Sequence, residues 1–278
     1  IKGLEQLGVL QISTKRLYRN PLGKMGAQDD RKILNAGQQA IVDAFQRDYD
    51  NGIHKNYLIY GVTGSGKTEV YMNLIEHVLS KGQQAIMLIP EIALTFQTVN
   101  RFYGRFGEKV SVLHSRLSAG ERFDQYQRAK NGDIQIMVGP RSALFAPFSQ
   151  LGLIVIDEEH ETSYQSDSMP KYHAREVAMK RAEMLSASVV AGSATPSLEA
   201  YYYCEAGKFE LFTLKERAGN ASLPSVQIVD LREELNAKNY SVFSRLLQEK
   251  IENCLQKNEQ VMLFINRRGY AGFVSCRQ

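Results

Sequence analysis

The segment Gly61-Val-Thr-Gly-Ser-Gly-Lys-Thr68 constrains this chain more than any other, because it joins an apolar run, Tyr57–Tyr60, to a helix-compatible run that opens at Thr68. A glycine-rich turn between a strand and a helix presents unpaired backbone N–H groups and the positive end of a helix dipole, a cradle for phosphate. The glycines let the backbone wrap an anion closely, Lys67 adds charge toward the terminal phosphates, and Thr68 supplies a hydroxyl for Mg²⁺. The nucleotide segment therefore comprises Gly61, Val62, Thr63, Gly64, Ser65, Gly66, Lys67 and Thr68, with Glu69 directly behind it.

A second signal follows at Leu153-Ile-Val-Ile-Asp-Glu-Glu-His160, where an apolar run ends in acids. Carboxylates at the carboxyl end of a buried strand lie at the edge of an open α/β sheet where ligands bind. In that position Asp157 is expected to hold Mg²⁺ and Glu158 to orient or deprotonate an attacking water. His160 belongs to the same constellation by position. A third segment, Gly192-Ser-Ala-Thr-Pro196, offers the hydroxyls of Ser193 and Thr195 beside the same edge, although small hydroxyl residues before a proline are also ordinary turn chemistry.

The rest of the chain supports a layered α/β fold. Buried-strand candidates fall at 57–60, 85–89, 110–113, 134–138, 153–156 and 188–191, and the clearest helices at 68–80 and 174–185, with another near 35–47. This alternation predicts a parallel sheet covered by helices on both faces. After the Gly, Ser and Pro punctuation at 218–224, a strand at 226–229, a helix at 241–256 and a strand at 261–265 read as the opening of another sheet. A length of 278 residues with 44% hydrophobic residues supplies enough apolar material for a substantial core. No apolar run is long enough to span a bilayer, and three scattered cysteines, Cys204, Cys254 and Cys276, suggest free thiols. The expected location is cytoplasmic, with no membrane partner. The net charge of +4 is carried by residues 1–35, with Lys15, Arg16 and Arg19 in one basic run. Such a run suits a DNA backbone contact and equally an exposed, solvated strand.

The order and spacing of Gly61–Thr68, Asp157–His160 and Ser193–Thr195 resemble superfamily 2 helicases with a DEAH-type box. Leu34–Gln38, Gly61–Tyr71, Leu88–Thr95, His114-Ser115, Gly139–Phe145, Tyr172–Arg175, Gly192–Ser197 and Asn266–Tyr270 extend the resemblance to the primosomal replication-restart helicases over nearly the whole chain. The resemblance implies a RecA-like P-loop NTPase fold and an ATP-dependent motor that moves 3′ to 5′ on DNA. It implies forked DNA and single-stranded/duplex junctions as substrates, and primosome proteins and single-stranded DNA-binding protein as partners. Gln38 matches the residue that reads adenine. Pro90, Glu91 and Thr95, with Gly139 to Ser142 including Arg141, match loops near the DNA strand. Residues 163–175 match an aromatic-rich loop in which Tyr164, Tyr172 and His173 could stack on bases, although the tryptophan common before the Tyr-His pair is replaced here by Met169, Pro170 and Lys171. A surface role for Arg141 and an exposed, flexible loop at 163–175 remain open readings.

The implied domains are a winged-helix remnant and linker at 1–22, helicase lobe 1 at 23–215 and the start of lobe 2 at 216–278. Cys276 stands where the family begins its zinc-binding cysteines, so zinc is expected in a longer protein and not in this segment. The same resemblance puts ATP between two lobes, the second supplying arginines, so this chain is expected to bind ATP with little hydrolysis. A double-stranded DNA translocase of remodelling type, which shares the P-loop and the acidic box, and a DNA-binding adaptor with a decayed motor fold are the rival readings.

Overall fold

The computed structural model describes residues 4, 9, 11, 18, 19, 31–217 and 224–264. The expected residues Lys15, Arg16 and Cys276 lie outside them, as do most of residues 1–22. The chain divides into two compact units, residues 1–221 and 222–278.

The first unit is built on a seven-stranded sheet: β1 (Asn56–Gly61), β2 (Gln84–Leu88), β3 (Val110–Val112), β4 (Ile136–Gly139), β5 (Leu151–Asp157), β6 (Ser188–Ser193) and β7 (Glu210–Leu214). The spatial order is β3-β4-β2-β5-β6-β1-β7. Every pairing is parallel. Six strands fall where the hydrophobic runs predict them, with ends shifted by one or two residues. β7 was not anticipated. It is an edge strand with a half-exposed alternating pattern, so it lacks the continuous apolar run of its buried neighbours.

Helices α1 (Ala36–Asp50), α2 (Lys67–Ser80), α3 (Phe96–Phe106), α4 (Ala119–Asn131), α5 (Ala174–Leu185) and α6 (Leu198–Glu205) cover the sheet. Successive strand residues point to opposite faces, and here both faces are dry. Met87 and Val155 pack with Ile41, Phe45, Val70 and Leu74 on the side of α1 and α2. Ile86, Ile154 and Ile156 pack with Ala174, Ala178 and Ala182 of α5 on the other. This two-sided burial is why β2 and β5 read as unbroken apolar runs. Helix starts follow local capping chemistry. Asn35 and Gln38 form a reciprocal capping box at α1, as do Ser118 and Glu121 at α4.

Parallel register sets the site. Gly61 ends β1 and Asp157 ends β5, and β6 runs between them with Asp157 opposite Gly192 and Tyr60 opposite Ser193. The phosphate loop, the Ser-Ala-Thr turn and the acidic box thus leave the same edge from three adjacent strands.

The second unit contains helices α7 (Leu231–Asn236) and α8 (Arg245–Gln256), the latter capped by Ser244. The predicted strand at 226–229 is irregular, with Ile228 95% exposed, and 261–264 is likewise irregular, Ile265 lying outside the described residues. A strand needs a neighbour to satisfy its backbone. None exists among the described residues of this unit. Among the described residues no helix is long and apolar enough to cross a membrane.

Candidate nucleotide and coupling site

A cleft of about 350 Å³ at the carboxyl edge of the sheet is lined by Lys32, Ile33, Gln38, Thr63 through Glu69, Arg101, Asp157 and Glu158. The glycine loop and the two acids therefore share one cleft. Gly61 and Val62 stand behind it, where the Val62 N–H donates to the Leu214 carbonyl at 3.2 Å and ties the loop to β7.

Backbone shape explains the glycines. Gly64 and Gly66 have φ of +81° and +82°, the left-handed region, and Gly66 is the residue from which α2 departs. A Cβ on Gly66 would also collide with the Gln38 side chain. That side chain donates from Nε2 to the Ser65 carbonyl at 2.7 Å while its Oε1 accepts the Asn35 N–H at 2.9 Å. Gln38 thus braces the phosphate loop and caps α1 together. Lys67, 8% exposed, donates from Nζ to the Gly61 carbonyl at 2.8 Å. The ammonium is held inside the loop by a bond that a phosphate can replace.

The four residues of the acidic box divide their work. Burial raises the Asp157 pKa to about 6, the neighbouring Glu158 pushes the same way and the Lys67 ammonium opposes them. Two tyrosines hold Asp157: Tyr71 donates to Oδ1 at 3.2 Å and Tyr164 to the main-chain carbonyl at 2.7 Å. Glu158 has φ of +46°, a left-handed conformation in a non-glycine residue that turns it out of the strand direction beside the cleft. Glu159, 1% exposed, accepts from Arg175 Nη1 at 3.0 Å, from the Ser197 N–H at 2.7 Å and from Ser197 Oγ at 3.0 Å. His160 Nδ1 is 2.7 Å from Ser193 Oγ, which also accepts the Thr195 N–H at 2.9 Å. Thr195 enters this link through its backbone.

Glu69 is 3% exposed and forms ion pairs with Arg101, at 2.8 Å, and Arg105. Arg105 also pairs with Glu76 at 2.8 Å. Glu69 therefore borders the cleft with its charge already matched, joining α2 to α3.

The residues assigned to a DNA path are individually engaged. Thr95 caps α3 by accepting the Thr98 N–H at 3.2 Å, directly after Pro90 and the short turn Glu91–Ala93. Arg141 donates to the carbonyls of Ser163, at 3.2 Å, and Gln165. The Ser142 carbonyl accepts from Tyr126. Tyr172 packs edge-on against Phe145, with ring centroids 5.6 Å apart. Base stacking by Tyr164 does not match the structure, since Tyr164 is 1% exposed with its hydroxyl on the Asp157 carbonyl; His173 is partly buried, and its Nδ1 caps α5 by accepting the Arg175 N–H at 3.1 Å. Within 163–175, Gln165 and His173 form an antiparallel bridge, while residues 167–171 between them are exposed, Met169 at 83%. The Arg19 side chain is paired with Asp124 at 3.7 Å.

The Thr68 hydroxyl and the Asp157 carboxylate are hard oxygen donors on the wall of one cleft. Such a pair suits Mg²⁺, which keeps several waters and takes the rest of its ligands from phosphate. The Ser65 hydroxyl is buried in the same loop without a hydrogen-bond partner. Among the described residues no group of three or more His, Cys, Asp or Glu is placed to hold a metal. Cys204 and Cys254 are free thiols.

Sequence reasoning missed Tyr71, Glu159, Arg101, Arg105 and Ser197 as contributors. The signal for Glu159 was present in its string: a third acid directly after two site acids needs its own counter-charge once it turns into the protein.

The family model described as DEAD/DEAH box helicase matches residues 35–202. Over the full chain the sequence is 50% identical to the replication restart protein PriA of Bacillus subtilis (strain 168) and 43% identical to that of Synechocystis, in each case across 34% of the relative's length. The replication restart protein PriA of Chlamydia pneumoniae is 40% identical over 99% of the chain and 37% of its own length. The chain thus spans about a third of the length of these curated relatives. A solved structure of RecG bound to a three-way DNA junction superposes with a TM-score of 0.51 at 22% identity, covering 69% of this chain and 25% of RecG, which bears on the fold alone. With the helicase family model matched across strands β1 to β6, the phosphate loop and the acidic box, the chain belongs to the DEAD/DEAH box helicases.

Proposed function

We propose that the chain carries the ATP-binding lobe of a 3′–5′ DNA helicase of replication restart, with residues 23–215 as lobe 1, 216–278 as the start of lobe 2 and 1–22 as the end of a winged-helix domain. The observation that supports this reading most is the single cleft bordered by the phosphate loop and the acid pair. Triphosphate oxygens accept from the N–H groups at the start of α2, and Lys67 exchanges the Gly61 carbonyl for phosphate. Thr68 and Asp157 would hold Mg²⁺, which when bound offsets phosphate charge. Glu158 orients or deprotonates the attacking water, and its strained backbone fixes its aim. Gln38 reads adenine from the position in which it braces Ser65. The link between His160 and Ser193 relays the state of the cleft to the Ser-Ala-Thr turn.

On this reading DNA backbone runs past Pro90, Thr95, Arg141, Ser142 and Tyr172, with Lys15, Arg16 and Arg19 adding electrostatic contacts. Contacts of this kind hold phosphate without reading sequence, as a motor stepping over any base requires. Forked DNA is the substrate, and primosome proteins and single-stranded DNA-binding protein are the partners, in the cytoplasm. Zinc belongs to the longer protein, from Cys276 onward. The 278-residue chain itself binds ATP and turns it over slowly. The test is strand displacement on forks with a 3′ or a 5′ single-stranded arm by the full-length protein. Displacement that needs ATP, follows 3′–5′ polarity and vanishes in Lys67→Ala supports the reading. ATP turnover on duplex DNA with no strand separation would replace it with a double-strand translocase.

A further inference from the structure

Tyr71 has no place in the chemistry described so far, yet it is 0% exposed and touches the metal-side carboxylate. It lies three residues after Thr68 on α2, a spacing that sets both side chains on one face of the helix. Its ring packs in the core cluster that contains Val70, Leu74 and Val155, which fixes the direction of the hydroxyl. That hydroxyl occupies space left by a missing side chain: a Cβ on Gly192, the β6 residue opposite Asp157, would overlap the Tyr71 oxygen. The glycine is needed there for room, and its φ is not in the left-handed region.

We infer that Tyr71 is a positioning residue for Asp157: by donating to Oδ1 from the same helix that carries Thr68, it fixes the carboxylate orientation in which Mg²⁺ and nucleotide are accepted together. The inference rests on the nucleotide reading of the cleft. Removing the hydroxyl frees the carboxylate to rotate and leaves the phosphate loop intact. Mg²⁺-dependent binding should therefore suffer while metal-free binding does not.

The experiment titrates a fluorescent ATP analogue into the 278-residue chain in EDTA and over a range of Mg²⁺ concentrations, for wild type, Tyr71→Phe and Gly192→Ala, with thermal unfolding of each without nucleotide. The expected result for Tyr71→Phe is metal-free affinity within about twofold of wild type, and a Mg²⁺ concentration for half-maximal tightening raised about tenfold, the scale of one lost hydrogen bond to a charged group. Gly192→Ala, which displaces the hydroxyl, should show the same Mg²⁺ shift. An unchanged Mg²⁺ midpoint in Tyr71→Phe, or equal losses with and without metal alongside a lower melting temperature, overturns the inference and leaves the nucleotide reading standing. Wild type that binds the analogue without any tightening by Mg²⁺ overturns both.

Discussion

Ser193 Oγ and His160 Nδ1 lie 2.7 Å apart, so the last residue of the acidic box is bonded directly to the Ser-Ala-Thr turn. The contact bridges adjacent strands, since β6 runs beside β5 and also beside the strand that leads into the phosphate loop. The acidic box is thus joined to the turn by one short side-chain route.

Breaking that route should separate binding from work. Ser193→Ala is expected to leave nucleotide affinity within about twofold, because Ser193 does not line the cleft. DNA-stimulated ATP turnover of the full-length protein should fall at least tenfold, the cost of one hydrogen bond to an ionisable partner. Parallel nucleotide titration and steady-state ATPase assays with and without single-stranded DNA check this, and equal losses in both would remove the relay role.

The Glu159–Arg175 pair is a different kind of element. Both side chains are almost wholly buried, at 0% and 5% exposure, and Ser197 completes the carboxylate's partners. Arg175→Ala leaves a buried charge without compensation and is expected to lower stability by about 3–5 kcal/mol. Arg175→Lys, which keeps the charge and loses the planar fork, should lie between it and wild type. Urea unfolding measures both, and a loss under about 1 kcal/mol for Arg175→Ala would show that solvent reaches Glu159.

Acidity offers a further handle. Burial raises the Asp157 pKa to about 6, so the nucleotide-free chain holds a proton there below that pH. Mg²⁺ must displace this proton. Metal-dependent nucleotide affinity should be flat above pH 7 and weaken by up to about tenfold per unit below 6, as expected for one competing proton. Asp157→Asn retains the nucleotide's own titration and should lose this extra step. Identical pH profiles for the two chains would place the ionisation elsewhere.

Much of this arrangement was legible in the residues. The sheet was readable because strands buried on both faces leave unbroken apolar runs, as at Ile154–Ile156, and because glycines, lysine and threonine recur at fixed offsets after β1. β7 was not, since its exposed alternating positions carry little apolar signal. Nor were the partners of Glu159 and Glu69, because pairs between Glu159 and Arg175 or between Glu69 and Arg101 depend on how α5 and α3 cross the sheet. Tyr164 shows the opposite error: an aromatic in a polar segment reads as a stacking surface until its hydroxyl is found on the Asp157 carbonyl. The strands expected at 226–229 and 261–265 had suitable composition but lack a neighbour to pair with among the described residues.

Calorimetric titration of ATP with Mg²⁺ into the 278-residue chain, wild type beside Lys67→Ala, bears most directly on the claim that phosphate and metal meet in this one cleft. Saturable one-to-one binding by wild type, weakened at least a hundredfold in Lys67→Ala and by chelation of Mg²⁺, is the result expected. Binding of equal strength in both chains, or none in wild type, would contradict it.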